Sequence, residues 1–139
     1  MIFRTGTTLD KLNELADRNM ATHLGMEFVE IGDDFLTMKM PVDSRTTQPM
    51  GILHGGASVA LAETVGSIAG NYVVEEGKVC VGLDINANHL RKVVSGFVYG
   101  TAKPLHIGRQ THVWEIKIVN EKQELVCISR LTLAVISMN

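Results

Sequence analysis

The order of predicted elements indicates an α+β fold in which a curled antiparallel sheet wraps around one long central helix. Three observations predict it. A short helix and two strands come first, one long helix occupies the middle, and four strand-like runs follow with no helix between them. A parallel α/β sheet would need helices between its later strands. The 139 residues, of which 45% are hydrophobic, suit a single domain spanning 1–139.

The first elements are a helix and a pair of strands. A helix is predicted over Thr8–Met20, where Thr8 is a suitable N-cap and leucines recur at helical spacing. The run "HLGMEFVEIGDDFLTMKMPV" predicts two strands around the turn "GDD". In the second strand every other residue is apolar, which is typical of a half-buried strand. These residues are Leu36, Met38, Met40 and Val42.

The long central helix is predicted over His54–Val74, with Gly77 in the stop signal that follows it. This segment is rich in small residues, which cost helix propensity but allow a sheet or another backbone to pack closely. They are Gly55, Gly56, Ala57, Ala60, Ala62, Gly66, Ala69 and Gly70.

The remaining chain reads as four strands. In "VCVGLDINANHLR", alternation predicts that Val79, Val81, Leu83 and Ile85 share one face. The run "VSGFVYGTAKPLHIG" follows, then "QTHVWEIKIVN", in which Trp114, Ile116 and Ile118 share a face. The turn "NEKQ" joins that strand to the closing run "ELVCISRLTLAVI" as a hairpin.

Charge and hydropathy exclude several classes of partner. Thirteen basic and fifteen acidic residues give a net charge of −2, which does not favour binding to nucleic acid or to an anionic membrane. No apolar run reaches the ~18 residues of a membrane span. The N-terminal region carries acidic residues where a signal peptide would be apolar. We expect a cytoplasmic protein, in which Cys80 and Cys127 are buried reduced thiols.

Glu63 is the one carboxylate within the small and aliphatic run "GILHGGASVALAETVGS". On a helix it begins a thin polar stripe that continues one turn on with Ser67 and two turns on with Asn71. A partly buried carboxylate on an apolar helix is suited to act as a general base or as a nucleophile. The alternative is an exposed or paired surface residue.

The motif "HGG" at residues 54–56 places glycine amides at a helix N-terminus. Those N–H groups have no intrahelical partner, and the helix dipole there is positive. Such a site could stabilise a carbonyl oxygen that gains negative charge, as an oxyanion hole does. His54 and Gln48 lie just upstream and could help to hold the carbonyl. The alternative is a flexible turn.

Gly55 and Glu63 are too far apart to act together within one chain. They are eight residues apart, which on one helix is about 12 Å along the axis. If both groups act on one carbonyl, the carboxylate must come from a second copy. The spacing therefore predicts an isologous dimer with two sites at its interface.

Two other hydrolase classes fit the sequence poorly. The run "GGASVA" resembles a serine nucleophile elbow, but Ala60 replaces its last glycine and no strand directly precedes it. The five histidines show no close pair at metal-ligand spacing, and the cysteines add none. We therefore predict no metal site.

The stretches "QPMGILHGGASVALAETVGS" and "GLDINANHLR" resemble the hotdog-fold acyl-CoA thioesterases. The resemblance covers essentially the whole chain. It is to the bacterial subgroup that contains 1,4-dihydroxy-2-naphthoyl-CoA hydrolase and the enterobactin proofreading thioesterase. It implies the hotdog fold, a dimer that joins two sheets edge to edge with shared active sites, and pairing of dimers into a homotetramer.

The resemblance also implies roles for individual residues. Glu63 matches the helical carboxylate, which acts as general base for water or as nucleophile, and Gly55 matches the amide that polarises the thioester carbonyl. Gln48 and His54 match positions near that carbonyl, and Ser67 matches a hydroxyl position one turn after the carboxylate. Further positions match substrate and CoA contacts: Gly82, His89, Leu90, Arg91, Lys92, His106, Ile107, Gly108, Arg109, Gln110 and Thr111.

The implied activity is hydrolysis of an aromatic, or a medium- or long-chain, acyl-CoA to the free acid and CoA. One such substrate is 1,4-dihydroxy-2-naphthoyl-CoA in menaquinone biosynthesis. No cofactor is expected, since CoA is part of the substrate. Three alternatives stay open: a proofreading hydrolase of aryl acyl-carrier-protein thioesters, a hotdog enoyl-CoA hydratase or dehydratase, and a non-catalytic acyl-CoA binding protein.

Overall fold

A computed structural model describes residues 1–138 of the chain. Two short helices and two strands precede the long helix, and four strands follow it, so the predicted order of elements is confirmed. The elements are α1 (Leu9–Leu15), α2 (Met20–His23), β1 (Glu27–Ile31), β2 (Leu36–Pro41), α3 (Gly55–Asn71), β3 (Lys78–His89), β4 (Phe97–Ile107), β5 (Thr111–Val119) and β6 (Leu125–Ser137).

All six strands form one antiparallel sheet in the order β1-β2-β4-β5-β6-β3. The sheet curls around α3, as the sequence predicts. Leu61 and Val65 of α3 are fully buried, and so are Trp114, Ile116 and Ile118, which were predicted to share a face of β5. In this order β1 and β3 are the edge strands, and each has a neighbouring strand on one side only.

The small residues of α3 let the sheet approach the helix closely. A Cβ added at Gly66 would lie 2.6 Å from Leu131 Cδ2, and one at Gly70 would lie 2.6 Å from Leu133 Cδ1. Either contact is far shorter than the roughly 3.5–4.0 Å of ordinary carbon packing. The helix ends at Asn71, three residues before the predicted Val74.

The predicted single helix over Thr8–Met20 is wrong in its second half. Thr8 does cap α1, because its side chain accepts a hydrogen bond from the Lys11 N–H. The chain then leaves the helix after Leu15, and Arg18 has a φ of 62°. Asn19 starts α2 as its N-cap, since its side chain accepts from the Ala21 N–H at 3.0 Å. A second capping residue therefore competes with continued helix.

The predicted facing of β3 is also wrong. Cys80, rather than Val79 or Val81, points into the core, and Leu83 is 62% exposed. The pairing of β3 with β6 shifts register between Gly82 and Asp84, which marks a β-bulge. Residues before and after the bulge therefore do not follow one continuous alternation.

Expectations about burial are confirmed in part. Leu36, Met38 and Met40 of β2 are fully buried, but Thr37 and Pro41 on the other face are buried as well, so β2 is not the half-buried strand that its alternation predicts. Cys80 and Cys127 are both free and buried. Within the described residues, no helix combines the length and the apolarity needed to cross a membrane.

Candidate active site

A pocket of about 400 Å³ opens at the N-terminus of α3. We call it the amide pocket. Six of its lining residues were predicted as site residues from the sequence, and they come from three separate segments of the chain. They are Gln48, Gly55, His89, Leu90, Arg91 and Lys92. The structure therefore brings together the "HGG" motif and the end of the "NANHLR" motif.

Hydrogen bonds fix the backbone at the entrance to α3. The Leu53 N–H donates to the Val93 carbonyl at 2.8 Å, and the His54 N–H donates to the Thr46 carbonyl at 2.8 Å. His54 is the N-cap, and its Nδ1 accepts from the Gly56 N–H at 2.8 Å. The Met50 N–H donates to Gln48 Oε1, which holds that side chain in the preceding turn.

The Gly55 N–H is left available by this arrangement. Among residues 1–138 it has no hydrogen-bond acceptor, while the next three amides donate to the side chain or carbonyl of His54. A free N–H in the first turn of a 17-residue helix lies where the helix dipole is positive. This group can therefore donate to an oxygen that develops negative charge.

His89 lies directly over Gly55. A Cβ added at Gly55 would be 3.0 Å from His89 Nε2 and 3.2 Å from Cε1. A side chain at this position would press against the imidazole, so glycine leaves the most room beside it. His89 therefore belongs to the amide pocket and is not a core histidine, because its side chain is exposed.

Glu63 lies further along α3, against the edge strand β3. An added Cβ at Gly82 would be 3.5 Å from the Glu63 carboxyl carbon and closer still to Oε2. The Glu63 carboxylate is half-buried, and within residues 1–138 it makes neither a hydrogen bond nor an ion pair. Ser67 follows one helical turn later and is also half-buried. Glu63 and Gly82 are thus brought together as the second group of predicted site residues.

The third group, the β4–β5 hairpin from His106 to Thr111, lies away from the amide pocket and on the side of Gly82, since Thr111 pairs with Ala134, which also pairs with Val81. The Val135 N–H donates to the Gln110 carbonyl at 2.9 Å, and Arg109 lines a small pocket with Lys78. The hairpin therefore lies near the N-terminal end of β3, where Lys78 pairs with Ser137. His89 lies at the C-terminal end of the same strand. One protomer does not join this hairpin to the amide pocket.

Sequence reasoning did not assign two residues to the site, one that lines the amide pocket and one that pairs with a residue lining it. Ser58 is 1% exposed and lines it from the first turn of α3. Glu124 lies in the β5–β6 hairpin and pairs with Arg91 at 3.4 Å. The Asn120 hydrogen bond and the Arg91 charge lower the pKa of Glu124 below its ordinary value. Ser58 could have been found as the hydroxyl next to "HGGA", but no sequence signal pairs Glu124 with Arg91.

The other reactive side chains do not suggest a competing centre. Burial raises the pKa of the Cys80 thiol to about 11, so it is protonated near neutral pH. No group of three or more His, Cys, Asp or Glu side chains in the described part of the chain could hold a metal ion. The Gly55 N–H and the Glu63 carboxylate, both without a partner among the described residues, remain the candidate groups for chemistry.

An amide donor for an oxyanion and an unpaired carboxylate, on one helix wrapped by a curled sheet, suit a hydrolase of activated acyl groups. Comparison with known proteins agrees. The family model described as the thioesterase superfamily matches residues 50–127. A 1,4-dihydroxy-2-naphthoyl-CoA hydrolase of Escherichia coli K12 is 52% identical over 98% of this chain and 100% of its own length. A proofreading thioesterase of Cronobacter turicensis is 49% identical, covering 97% of this chain and 98% of the relative.

Solved structures give the same result. A thioesterase from Haemophilus influenzae superposes with a TM-score of 0.97 at 53% identity, covering 99% of this chain and 96% of that one. The chain belongs to the thioesterase superfamily and has its hotdog fold. It is a thioester hydrolase.

Proposed function

We propose that the chain hydrolyses an aromatic acyl-CoA to the free acid and CoA, with 1,4-dihydroxy-2-naphthoyl-CoA of menaquinone biosynthesis as the first substrate to test. The observation that carries the proposal is the pair of unused polar groups, the Gly55 N–H in the amide pocket and the Glu63 carboxylate against Gly82. The substrate class is supported by the 52% identical relative that is named 1,4-dihydroxy-2-naphthoyl-CoA hydrolase.

The Gly55 N–H donates to the thioester carbonyl oxygen. As water adds to the carbonyl carbon, that oxygen becomes an oxyanion, which the amide and the helix dipole stabilise more strongly than they stabilise the ground state. The tetrahedral intermediate then releases the CoA thiolate as the C–S bond breaks. A thiol of pKa near ~8.5 is a good leaving group.

Glu63 accepts the proton of the attacking water and later returns it to the thiolate. A direct attack of Glu63 on the carbonyl, followed by hydrolysis of the anhydride, uses the same atoms and gives the same products. Gln48 lines the amide pocket, and His54 caps the helix beside Gly55. Both orient the carbonyl, and Ser67 orients the water or the carboxylate. The reaction needs no bound cofactor.

The site requires two copies of the chain. The donor and the carboxylate are about 12 Å apart along α3, so a carbonyl carbon near Gly55 meets the partner's Glu63. An isologous dimer then has two equivalent sites. We extend the proposal to the pairing of two dimers in a tetramer, and to the cytoplasm, where buried reduced cysteines such as Cys80 and Cys127 are typical.

The rim of the amide pocket fits a phosphorylated carrier. Arg91 and Lys92 both line it, and Lys92 has no ion-pair partner within residues 1–138. Cations of this kind bind phosphate oxygens as charge-assisted donors. CoA has three phosphate groups, whereas a carrier protein presents a single phosphodiester beside its own surface.

The test is a panel of thioesters whose free thiol is measured as it is released. The panel contains 1,4-dihydroxy-2-naphthoyl-CoA, benzoyl-CoA, lauroyl-CoA and an aryl thioester on a carrier protein. We expect the highest kcat/KM on an aromatic acyl-CoA. Glu63→Gln is the blank, and Glu30→Gln is its matched control, because Glu30 is an exposed strand carboxylate away from the site.

Three results would redirect the proposal. A higher kcat/KM on the carrier-bound aryl group would assign proofreading of carrier-protein thioesters, the activity named for the 49% identical relative. Addition of water to crotonyl-CoA without thiol release would assign a hydratase. Binding of acyl-CoA with no turnover, unchanged in Glu63→Gln, would assign a binding protein.

A further inference from the structure

Each edge strand of the sheet is bound by an asparagine side chain from a helix. Asn13 of α1 accepts from the Phe28 N–H at 2.8 Å and donates to the Phe28 carbonyl at 3.1 Å. Asn71 of α3 accepts from the Cys80 N–H at 2.9 Å and donates to the Cys80 carbonyl at 3.1 Å. An asparagine amide has the donor and the acceptor that a neighbouring strand would provide. It therefore closes the sheet edge at that residue.

The two edges differ in what they leave open. On β1, which has five residues, Phe28 is bound by Asn13 and a register shift follows before Glu30, so little edge remains for pairing. On β3, which has twelve residues, Asn71 binds the third residue, and the stretch from Gly82 to His89 stays uncovered. The open edge of this sheet is the second part of β3.

Strand alternation identifies the open backbone groups. Since Asn71 reaches both polar groups of Cys80, these point away from β6, and those of Gly82 do so as well. At the far end the Leu90 N–H donates to the Val126 carbonyl of β6, so the groups of His89 point away from β6. Every second residue before His89, as far as the bulge, has its backbone groups on the same side, so those of Ala87 and Ile85 also point away from β6.

We propose that Asn71 is a positioning residue that ends the pairing edge of β3, so that two copies of the chain pair antiparallel over Gly82–His89 with the two-fold axis at Asn86. The proposal rests on the shared site of the proposed function. In this register Ile85 lies opposite the partner's Ala87. Leu83 is the extra residue of the bulge, so Gly82 lies opposite the partner's His89.

This register assembles the active site. Gly82 contacts Glu63, and His89 covers Gly55, within one protomer. Placing Gly82 opposite the partner's His89 therefore brings Glu63 to the partner's amide pocket. Sliding the strands by two residues moves the carboxylate by about 6.6 Å along the edge, which separates it from the carbonyl. Asn71 prevents a slide towards Cys80, because both backbone groups there are already bonded.

Disulfide cross-linking tests the register. At the two-fold axis, Asn86 faces the partner's Asn86 as a pair without direct hydrogen bonds, with Cα atoms about 4.5 Å apart. That separation allows a disulfide. Asn88→Cys is the matched control, because its Cα would lie about 13 Å from its symmetry mate, four residues along the strand. We expect mild oxidation to cross-link Asn86→Cys and to leave Asn88→Cys and the wild type uncross-linked.

The asparagine is tested by Asn71→Ala, with Asn13→Ala as its matched control on the other edge. We expect Asn71→Ala to raise amide exchange at Cys80 by about one order of magnitude. It should also lower kcat/KM and the cross-linking yield of Asn86→Cys. Asn13→Ala should change neither. In the double variant with Asn86→Cys, oxidation should restore kcat/KM, since the disulfide sets the register that the amide no longer sets. A loss caused only by a weakened fold would not be restored.

The outcomes separate this inference from the function it rests on. A dimeric, active enzyme in which Asn86→Cys fails to cross-link would overturn the register. Unchanged cross-linking and activity in Asn71→Ala would overturn the role of the asparagine. An active monomer would instead overturn the shared site itself. If Asn71→Ala does not fold, the wild-type background still decides the register through the two cysteine variants.

Discussion

Gly82→Ala should reduce catalysis strongly while leaving the fold intact. The new Cβ would lie 3.5 Å from the Glu63 carboxyl carbon and would overlap Oε2. To reach an ordinary contact distance of roughly 3.5 Å, the oxygen must move by about 1 Å. The obstructing atom is the end of a flexible side chain, so the free energy of unfolding should change by less than about 0.5 kcal/mol.

The catalytic cost follows from the same displacement. A misplacement of about 1 Å at a reacting group can cost about 10²-fold, which corresponds to roughly 2.7 kcal/mol of transition-state stabilisation. We therefore expect kcat/KM to fall about 100-fold, mainly through kcat. The assay is thiol release from the preferred thioester, and the melting temperature is measured by calorimetry on the same sample.

Gly70→Ala is the control with the opposite expectation, a loss of stability with little loss of kcat. Its Cβ would lie 2.6 Å from Leu133 Cδ1 and 3.2 Å from Cys80 Sγ, inside the core and away from Glu63. Overpacking of this kind costs about 1–3 kcal/mol of stability. This variant should melt earlier and yet keep its kcat well below the transition. If Gly82→Ala retained full kcat/KM at an unchanged melting temperature, the placement of Glu63 against β3 would have no catalytic meaning.

Three further outcomes are expected. Glu63→Gln should lower kcat by about 10² to 10⁴, and Ser67→Ala should lower it less, in the same thiol-release assay; equal losses would give Ser67 a direct chemical role. Burial, and to a smaller extent the charge of His106, lowers the pKa of His112 below its ordinary 6.5. Neutral His112 therefore contributes its full stability above pH 6.5, and this contribution is lost as the pH falls below that value. The melting temperature should therefore drop more between about pH 7 and about pH 5 in the wild type than in His112→Gln, and parallel curves would contradict this. Burial raises the pKa of Cys80 to about 11 and also raises that of Cys127. A thiol reagent that reacts by disulfide exchange should therefore label neither cysteine at about pH 8 until the protein is denatured. Rapid labelling of the native enzyme would show an exposed thiol.

Much of the fold could be predicted because its signals are local. The motif "HGG" marks the N-terminus of the central helix, and α3 begins at Gly55 in the structure. The inner face of β5 follows strict alternation, and Trp114, Ile116 and Ile118 are all fully buried. In these segments hydrophobic periodicity and capping agree with tertiary packing.

The errors arise where a single residue changes the local geometry. The helix predicted over Thr8–Met20 divides because Asn19 caps a second helix and also donates to the Leu15 carbonyl at 2.7 Å. The sequence pattern alone contained both possibilities, a continued apolar spacing and a capping asparagine. Only the packing of the segment selects between them.

The site was predictable as a set of residues but not as an arrangement. The motifs identify Gly55, Glu63, Gly82 and His89, and helix geometry alone shows that the first two lie about 12 Å apart. The hairpin at 106–111 lies at the opposite end of β3 from His89, which the sequence does not indicate. Pairing across strands is a long-range property that no local window contains.

The bulge in β3 explains why alternation did not predict which residues of β3 face α3. It also explains how Gly82 and His89 both come to face that helix. Gly82 and His89 are seven residues apart, so in a regular strand their side chains would lie on opposite faces of the sheet. The register shift between Gly82 and Asp84 adds one residue and returns both to the face that α3 covers. Gly82 can therefore contact Glu63 while His89 contacts Gly55 on the same helix. A strand with regular alternation would have kept Val79, Val81, Leu83 and Ile85 on one face, as predicted, and would have placed the two halves of the candidate site on opposite faces.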